Sequence, residues 1–187
     1  MNKAALKRLA LELRDEVGLT PHEPFDPLEL AKLYGIEVVR LSEIECSPAA
    51  IHHFKVKRPD VFSGALIPLS DGSTVIVEND WHSLERRVST ASHEMAHVIR
   101  EHPFSATLTD SKGCRVSVKD HEDEAAELSG ELLLPTDAAH RLAYYKVTDE
   151  EAARRFRISP ELARWRMNAT GARIKAERAH AKRSRSR

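Results

Sequence analysis

TASHEMAHVIREH, residues 90–102, holds His93, Glu94 and His97 in the order H-E-x-x-H. On a helix, residues four apart stand one above the other. His93 and His97 can therefore address one spot about 5–6 Å across. Two neutral imidazoles there make half of a tetrahedral zinc site. Glu94 sits one residue round the helix from His93, where a general base for water activation is needed beside such a metal. With 10 His and 19 Glu in 187 residues, the five-letter pattern arises by accident in roughly one such chain in twenty. Its context adds weight. Met95, Ala96, Val98 and Ile99 surround the polar residues, and a helix that is apolar on nearly all sides is buried. Buried His and Glu need partners, and a metal supplies one.

The third protein ligand lies elsewhere. A third His six residues after His97 would complete a known zinc pattern, H-E-x-x-H-x-x-G-x-x-H, but Arg100 stands at its glycine and Pro103 at its last His. His102 comes one residue early. The downstream stretch KDHEDEAAELSGELLLP (119–135) is a better supply, with His121, Glu122, Asp123, Glu124, Glu127 and Glu131. Its apolar face runs through Ala125, Leu128 and Leu132. Glu122, three before Ala125, shares that face, while Glu124, four before Leu128, stays open on geometry alone. The other carboxylates read as a solvated face, the usual meaning of such a run.

Working outward, residues 3–17 carry Leu6, Leu9, Leu13 and Val17 on one helical face before Gly18. Asp26-Pro27 opens a short helix that Gly35 stops. IEVVRL (36–41) reads as a strand, and residues 42–60 carry no clear pattern. FSGALIPL (62–69) and STVIVEN (73–79) flank SDG, a hairpin signal. The helix with the two histidines is expected over Asp80–Glu101, ending before Pro103. Residues 104–118 read as a loop with a short strand at CRVSV, followed by a helix over Asp120–Leu134. Thr136 can cap the next helix. Thr148 with Glu151 forms a capping-box pattern for another, and Ser159-Pro160 starts one more, with Gly171 near its end. The expected fold is α+β: a small antiparallel or mixed sheet packed on the H-E-x-x-H helix and on a second, ligand-bearing helix, followed by a helical C-terminal part.

Composition narrows the function. Net charge is formally zero, so no global field draws nucleic acid or membrane. No apolar run nears the roughly 20 residues that span a bilayer. The N-terminal stretch is charged throughout and has no signal-peptide pattern. Two distant cysteines, Cys46 and Cys114, fit a reducing cytosol and exclude a Cys-rich zinc ribbon. A cytoplasmic protein is expected.

H-E-x-x-H, followed some 25 residues later by E-x-x-A-N-x-F-A-x-x-L-L-M-P, is the signature of the ImmA/IrrE family of metallo-endopeptidases, which this sequence resembles. HEMAH and EDEAAELSGELLLP carry the likeness through His93, Glu94, His97, Glu122, Ala125, Leu132, Leu133 and Pro135. FDPLELAKLYGIEVV upstream and AARRFRISPELARWRMNATG downstream extend it over roughly residues 25–171. The resemblance implies a gluzincin-like architecture, a Zn2+ cofactor, Glu122 as third metal ligand, and peptide hydrolysis. In that chemistry Glu94 takes a proton from the attacking water and returns it to the leaving amine. It also implies a protein substrate, typically a partner transcriptional repressor of a mobile element or stress response. The chain departs from the pattern at Ala126, where the family usually has Asn, and at Leu128, where it usually has Phe. Loss of that Asn removes a hydrogen-bonding side chain near the site. An oxyanion donor is expected, with Tyr144, Tyr145 and His140 as candidates.

A reading of another class competes. TDEEAARRFRISPELARWRMNATG (148–171) has a helix-turn-helix rhythm, with Arg164 and Arg166 facing outward and a basic tail behind. A non-catalytic module binding a repressor or DNA would follow. Trp165 on the second helix suits packing instead, so a helical hairpin against the peptidase is the reading adopted. The expected organisation is a zinc metallopeptidase domain over 1–147, the hairpin over 148–172, and a basic tail without fixed structure over 173–187.

Overall fold

The hairpin signal is realised as β2 (Gly64–Pro68) and β3 (Thr74–Glu78), paired antiparallel with Leu66 opposite Ile76. β1 (Glu37–Arg40) joins the other edge of β3 in parallel, with Val38 beside Ile76, giving a three-stranded mixed sheet in the order β1-β3-β2. The computed structural model describes residues 1–102 and 119–185, so the strand expected at 114–118 lies outside the described residues. α+β is the fold class observed, with one small mixed sheet and a majority of helix among the described residues.

Two compact units are present, one formed by Met1 with Pro27–Ser129 and the other by Asn2–Asp26 with Gly130–Arg187. The division falls within a helix, between Ser129 and Gly130.

In the first unit, successive residues of β3 point to opposite faces, and both faces are covered. Val75 and Val77 meet Leu41, Phe54, Phe62 and Trp81 on one side. Ile76 is fully buried, as are Met95 and Ala96 of α4 (Leu84–Ile99), which lies against β2 and β3. α2 (Pro27–Leu33) also packs on α4 and contributes Leu30 and Ala31. The stretch without a clear pattern, 42–60, forms short turns around α3 (Pro48–His52). α4 starts later than expected. Asn79 is buried, its side chain donates to the Phe62 carbonyl (2.9 Å) and accepts from the Trp81 amide (3.2 Å). This local turn holds Asp80–His82 out of the helix, and Ser83 caps it instead.

α4 approaches β2 closely at Gly64. A Cβ there would lie 2.5 Å from Thr90 Cγ2 and 3.0 Å from the Val77 carbonyl oxygen. Gly64→Ala should therefore cost about 1–3 kcal/mol of stability by overpacking. Thr90→Ser removes the methyl in the way and should restore more than half of the loss in the double variant. Denaturant midpoints of the single and double variants check this, and an unchanged midpoint for Gly64→Ala would contradict the packing described.

In the second unit, α1 (Lys3–Glu16) buries Leu6, Ala10 and Leu13. Arg14 is buried too and donates to the carbonyls of Leu132, Thr20 and Glu23. Burial pushes its guanidinium down to about 10, against the pull of Glu23. α5 (Lys119–Leu133) reaches this unit with its last turn. α6 (Thr136–Tyr144), α7 (Asp149–Phe156), α8 (Pro160–Ala169) and α9 (Ala172–Arg185) follow. Thr136 is the first helical residue of α6 and not its cap. Thr148 caps α7 as expected, but Glu151 turns to Arg154 and Arg155, so only half of the capping box forms. Ser159 caps α8 with Pro160 at its first position.

Three expectations are corrected here. Arg166 does not face outward. It is fully buried, pairs with Glu131 at 2.6 Å and donates to the Leu134 carbonyl at 3.1 Å. Glu131 accordingly leaves the solvated face of α5 and also accepts from the Thr136 amide at 2.9 Å. Trp165 packs one ring edge against Gly130 of α5, as expected, and leaves 42% of its surface exposed. The basic stretch after 172 is helical through Arg185, because Ala172 and Ala176 bury one side of α9 and the His180 ring stacks on Tyr144.

Candidate metal centre

His93, Glu94 and His97 all lie on α4, whose N-terminus is closed by Ser83 and carries Glu85 in its first turn. The four-residue spacing works as the sequence suggests. The ring centroids of His93 and His97 are 4.8 Å apart, and their Nε2 atoms are 3.1 Å apart. α5 brings Glu122 to the same place: Oε2 is 3.2 Å from His93 Nε2 and Oε1 is 3.6 Å from His97 Nε2. The three residues form a group whose ligand atoms all lie within 4.8 Å of one another.

These distances test the fit to a metal. Ligand bonds of about 2.0–2.2 Å at tetrahedral angles place ligand atoms roughly 3.3–3.6 Å apart. The observed 3.1, 3.2 and 3.6 Å lie close to that range. The donor chemistry suits zinc as well: two imidazole nitrogens and a carboxylate oxygen leave a fourth position open, as catalytic zinc sites do. The side chains of His93 and Glu122 are partly open, at 29% and 34% exposure, so solvent or substrate can reach the group. His97 is more enclosed, and Glu94 is buried at 4%. Glu94 lies three positions before His97, the spacing of neighbours on a helix surface.

Glu124 is not in the group. Its Oε2 pairs with Arg100 Nε at 3.1 Å, its Oε1 with the amino group of Met1. Arg100 to Glu124 ties the end of α4 to the start of α5, and it engages Glu124 away from the group. Ala126, where the resemblance places Asn, offers no polar side chain; its carbonyl accepts from Ser129 Oγ at 3.2 Å.

The residue missed by sequence reasoning is His102. Its Nδ1 lies 3.0 Å from His97 Nδ1, its Nε2 lies 3.5 Å from Glu124 Oε2, and the His121 ring stacks on it at 4.4 Å. Burial holds the His102 imidazole below the usual histidine range, helped by His121 and Arg100 and opposed by Glu122. The contact follows from how α4 ends. The His102 amide bonds back to the His97 carbonyl (3.1 Å) and the Glu101 amide to that of Val98 (2.9 Å), with Glu101 at φ 50°. This is the Schellman ending, which folds the second residue past the cap onto the last full turn. Its usual sequence mark is glycine, and Glu101 hides it.

The oxyanion candidates all belong to the second unit. His140 Nε2 contacts the Thr170 carbonyl at 3.1 Å, Tyr144 stacks on His180, and Tyr145 is 67% exposed.

Residues 31–168 match the family model of the IrrE N-terminal-like domain, Peptidase M78. The chain belongs to this family. Membership in the IrrE-like peptidases brings a metallopeptidase-like or regulator-associated role, and the His93, His97 and Glu122 group is where a metal can be held. The fold also resembles the solved structure of a Mycobacterium tuberculosis transcriptional regulator, with a TM-score of 0.56 and 20% identity over 86% of this chain. This chain spans 45% of the length of that regulator. No curated protein matches the sequence. No helix among the described residues is long and apolar enough to cross a membrane.

Proposed function

We propose that this member of the IrrE-like family is a zinc-dependent endopeptidase of the cytoplasm whose substrate is a transcriptional regulator. The observation that carries the reading is the convergence of His93, His97 and Glu122 on one small triangle beside a buried Glu94. His93, His97 and Glu122 would hold the ion. A zinc ion bound there supplies Lewis acidity, which acidifies water and polarises a carbonyl.

The chain's own residues do the rest. His93 and Glu122 are partly exposed, so a scissile peptide would reach the group from their side. Glu94 acts as the general base. Its burial keeps bulk water from competing for its carboxylate, and its place next to His93 brings it to the attacking water without taking a ligand position. Having accepted the proton, it returns it to the leaving amine. The regulator as substrate rests on what the resemblance to the ImmA/IrrE family implies.

A DNA-binding role for the helical pair at 148–171 is disfavoured. The buried pairing of Arg166 with Glu131 and the Arg164 pairing with Asp149 (3.1 Å) occupy the two cations that reading requires.

The test is incubation of the purified chain with a transcriptional regulator encoded beside it, with and without a zinc chelator. Cleavage that stops on chelation and returns with added zinc is expected. Binding of the regulator without any cleavage would leave a regulatory module instead.

A further inference from the structure

We infer that His102, with Glu124 behind it, is the positioning partner of His97, fixing this ring in the tautomer that binds metal. The inference rests on the metal reading of the His93, His97 and Glu122 group.

Proton counting carries the argument. His97 Nδ1 and His102 Nδ1 face each other at 3.0 Å, a distance that requires one proton between them and excludes two. There are two ways to supply it. If His102 Nδ1 carried the proton, a neutral His97 would carry its own on Nε2, aimed at His93 Nε2 and Glu122, and could not ligate. If His97 Nδ1 carries it, His97 Nε2 presents a lone pair to the other two ligands. The far side of His102 selects between these. His102 Nε2 lies 3.5 Å from the Glu124 carboxylate, which also accepts from Arg100 Nε at 3.1 Å. A carboxylate that is not itself a metal ligand favours the N–H form of the nitrogen facing it. Glu124 is such a carboxylate, whereas Glu122, which also faces His97 Nε2, is a ligand in the metal reading. A neutral His102 therefore has its proton on Nε2 and a bare Nδ1. The bare Nδ1 then accepts from His97 Nδ1–H. The polarity of the chain runs from His97 through His102 to Glu124, and it leaves the ligating nitrogen of His97 free of hydrogen.

The surroundings hold the partner still. The side chain of His102 is 6% exposed, His121 stacks on its face with ring planes 12° apart, and the Schellman ending fixes its backbone over the last turn of α4. Metal-bound histidines usually give their second N–H to a carboxylate or a carbonyl. Here an imidazole stands between, passing the influence of Glu124 to the ligand one ring further out.

The experiment measures zinc affinity by chelator competition at constant pH, together with the thermal midpoint of the metal-free protein. His102→Phe keeps the ring shape and removes the acceptor. His102→Asn places a side-chain oxygen where Nδ1 was and keeps the acceptor. The expected result is about a 10–100-fold loss of affinity for His102→Phe, recovery to within about fivefold of wild type for His102→Asn, and unchanged midpoints for both. Wild-type affinity in His102→Phe would overturn the inference, as would a His102→Asn no tighter than His102→Phe. Should His102→Phe fail to fold, nitrogen-15 NMR of zinc-loaded wild type decides. His97 should be protonated on Nδ1 and His102 on Nε2, with a scalar coupling across the hydrogen bond between the two Nδ1 atoms. A proton on His102 Nδ1 would overturn the assignment. A wild type that binds no zinc removes the metal reading itself, and this distinguishes the two failures.

Discussion

Glu94→Gln should abolish peptide cleavage while leaving the fold and the zinc in place. Gln matches the shape of Glu and cannot take a proton from water. General-base assistance contributes about 10²–10⁴-fold, so cleavage should fall by that factor at saturating substrate. The ligands are untouched, because His93, His97 and Glu122 make the metal group without Glu94. Binding of the regulator should also persist. Gel-based cleavage assays with wild type and Glu94→Gln at matched zinc content read the effect. Equal cleavage by both would show that the base has been misassigned, and loss of zinc by the variant would make Glu94 a ligand.

Removing a ligand should have the second large effect. Full structural zinc sites bind with apparent free energies of about 10–16 kcal/mol, so one ligand among three or four accounts for a loss on the order of 10²–10³-fold. Glu122→Ala should show it, because both Glu122 oxygens lie within 3.6 Å of the histidine nitrogens. Glu124→Ala should stay within about tenfold of wild type, since Glu124 reaches the group only through His102. Competition titrations of the two variants side by side separate them. The reverse order would exchange the roles of the two glutamates.

The parts of this arrangement that follow a single helical or strand period were legible in the sequence. The four-residue spacing of His93 and His97, the hairpin around SDG, and the inward face of α5 all arise from local repeat geometry. Glu122 shares a face with Ala125, and that argument left Glu124 open. The arbiter is the Arg100–Glu124 pair, which comes from a different element and has no local signal. His102 escaped for a related reason. Its approach to His97 depends on a left-handed residue at 101, and the sequence offers Glu there in place of glycine. Charge normally marks a solvated face, so the sequence alone places Arg166 and Glu131 at the surface. They are buried as a mutual pair, with the Leu134 carbonyl accepting from Arg166 and the Thr136 amide donating to Glu131. The late start of α4 turns on one side chain, Asn79, whose hydrogen bonds outcompete a helical pattern that extends past it.

A zinc ion held by His93, His97 and Glu122 is the central claim. The zinc K-edge absorption spectrum of the chain, taken after metal-free protein is titrated with zinc, tests this most directly. The account predicts one tightly bound zinc per chain, with two imidazoles and light oxygen neighbours and no sulfur. A chain that takes up no zinc while folded, or a spectrum without imidazole scattering, would contradict it.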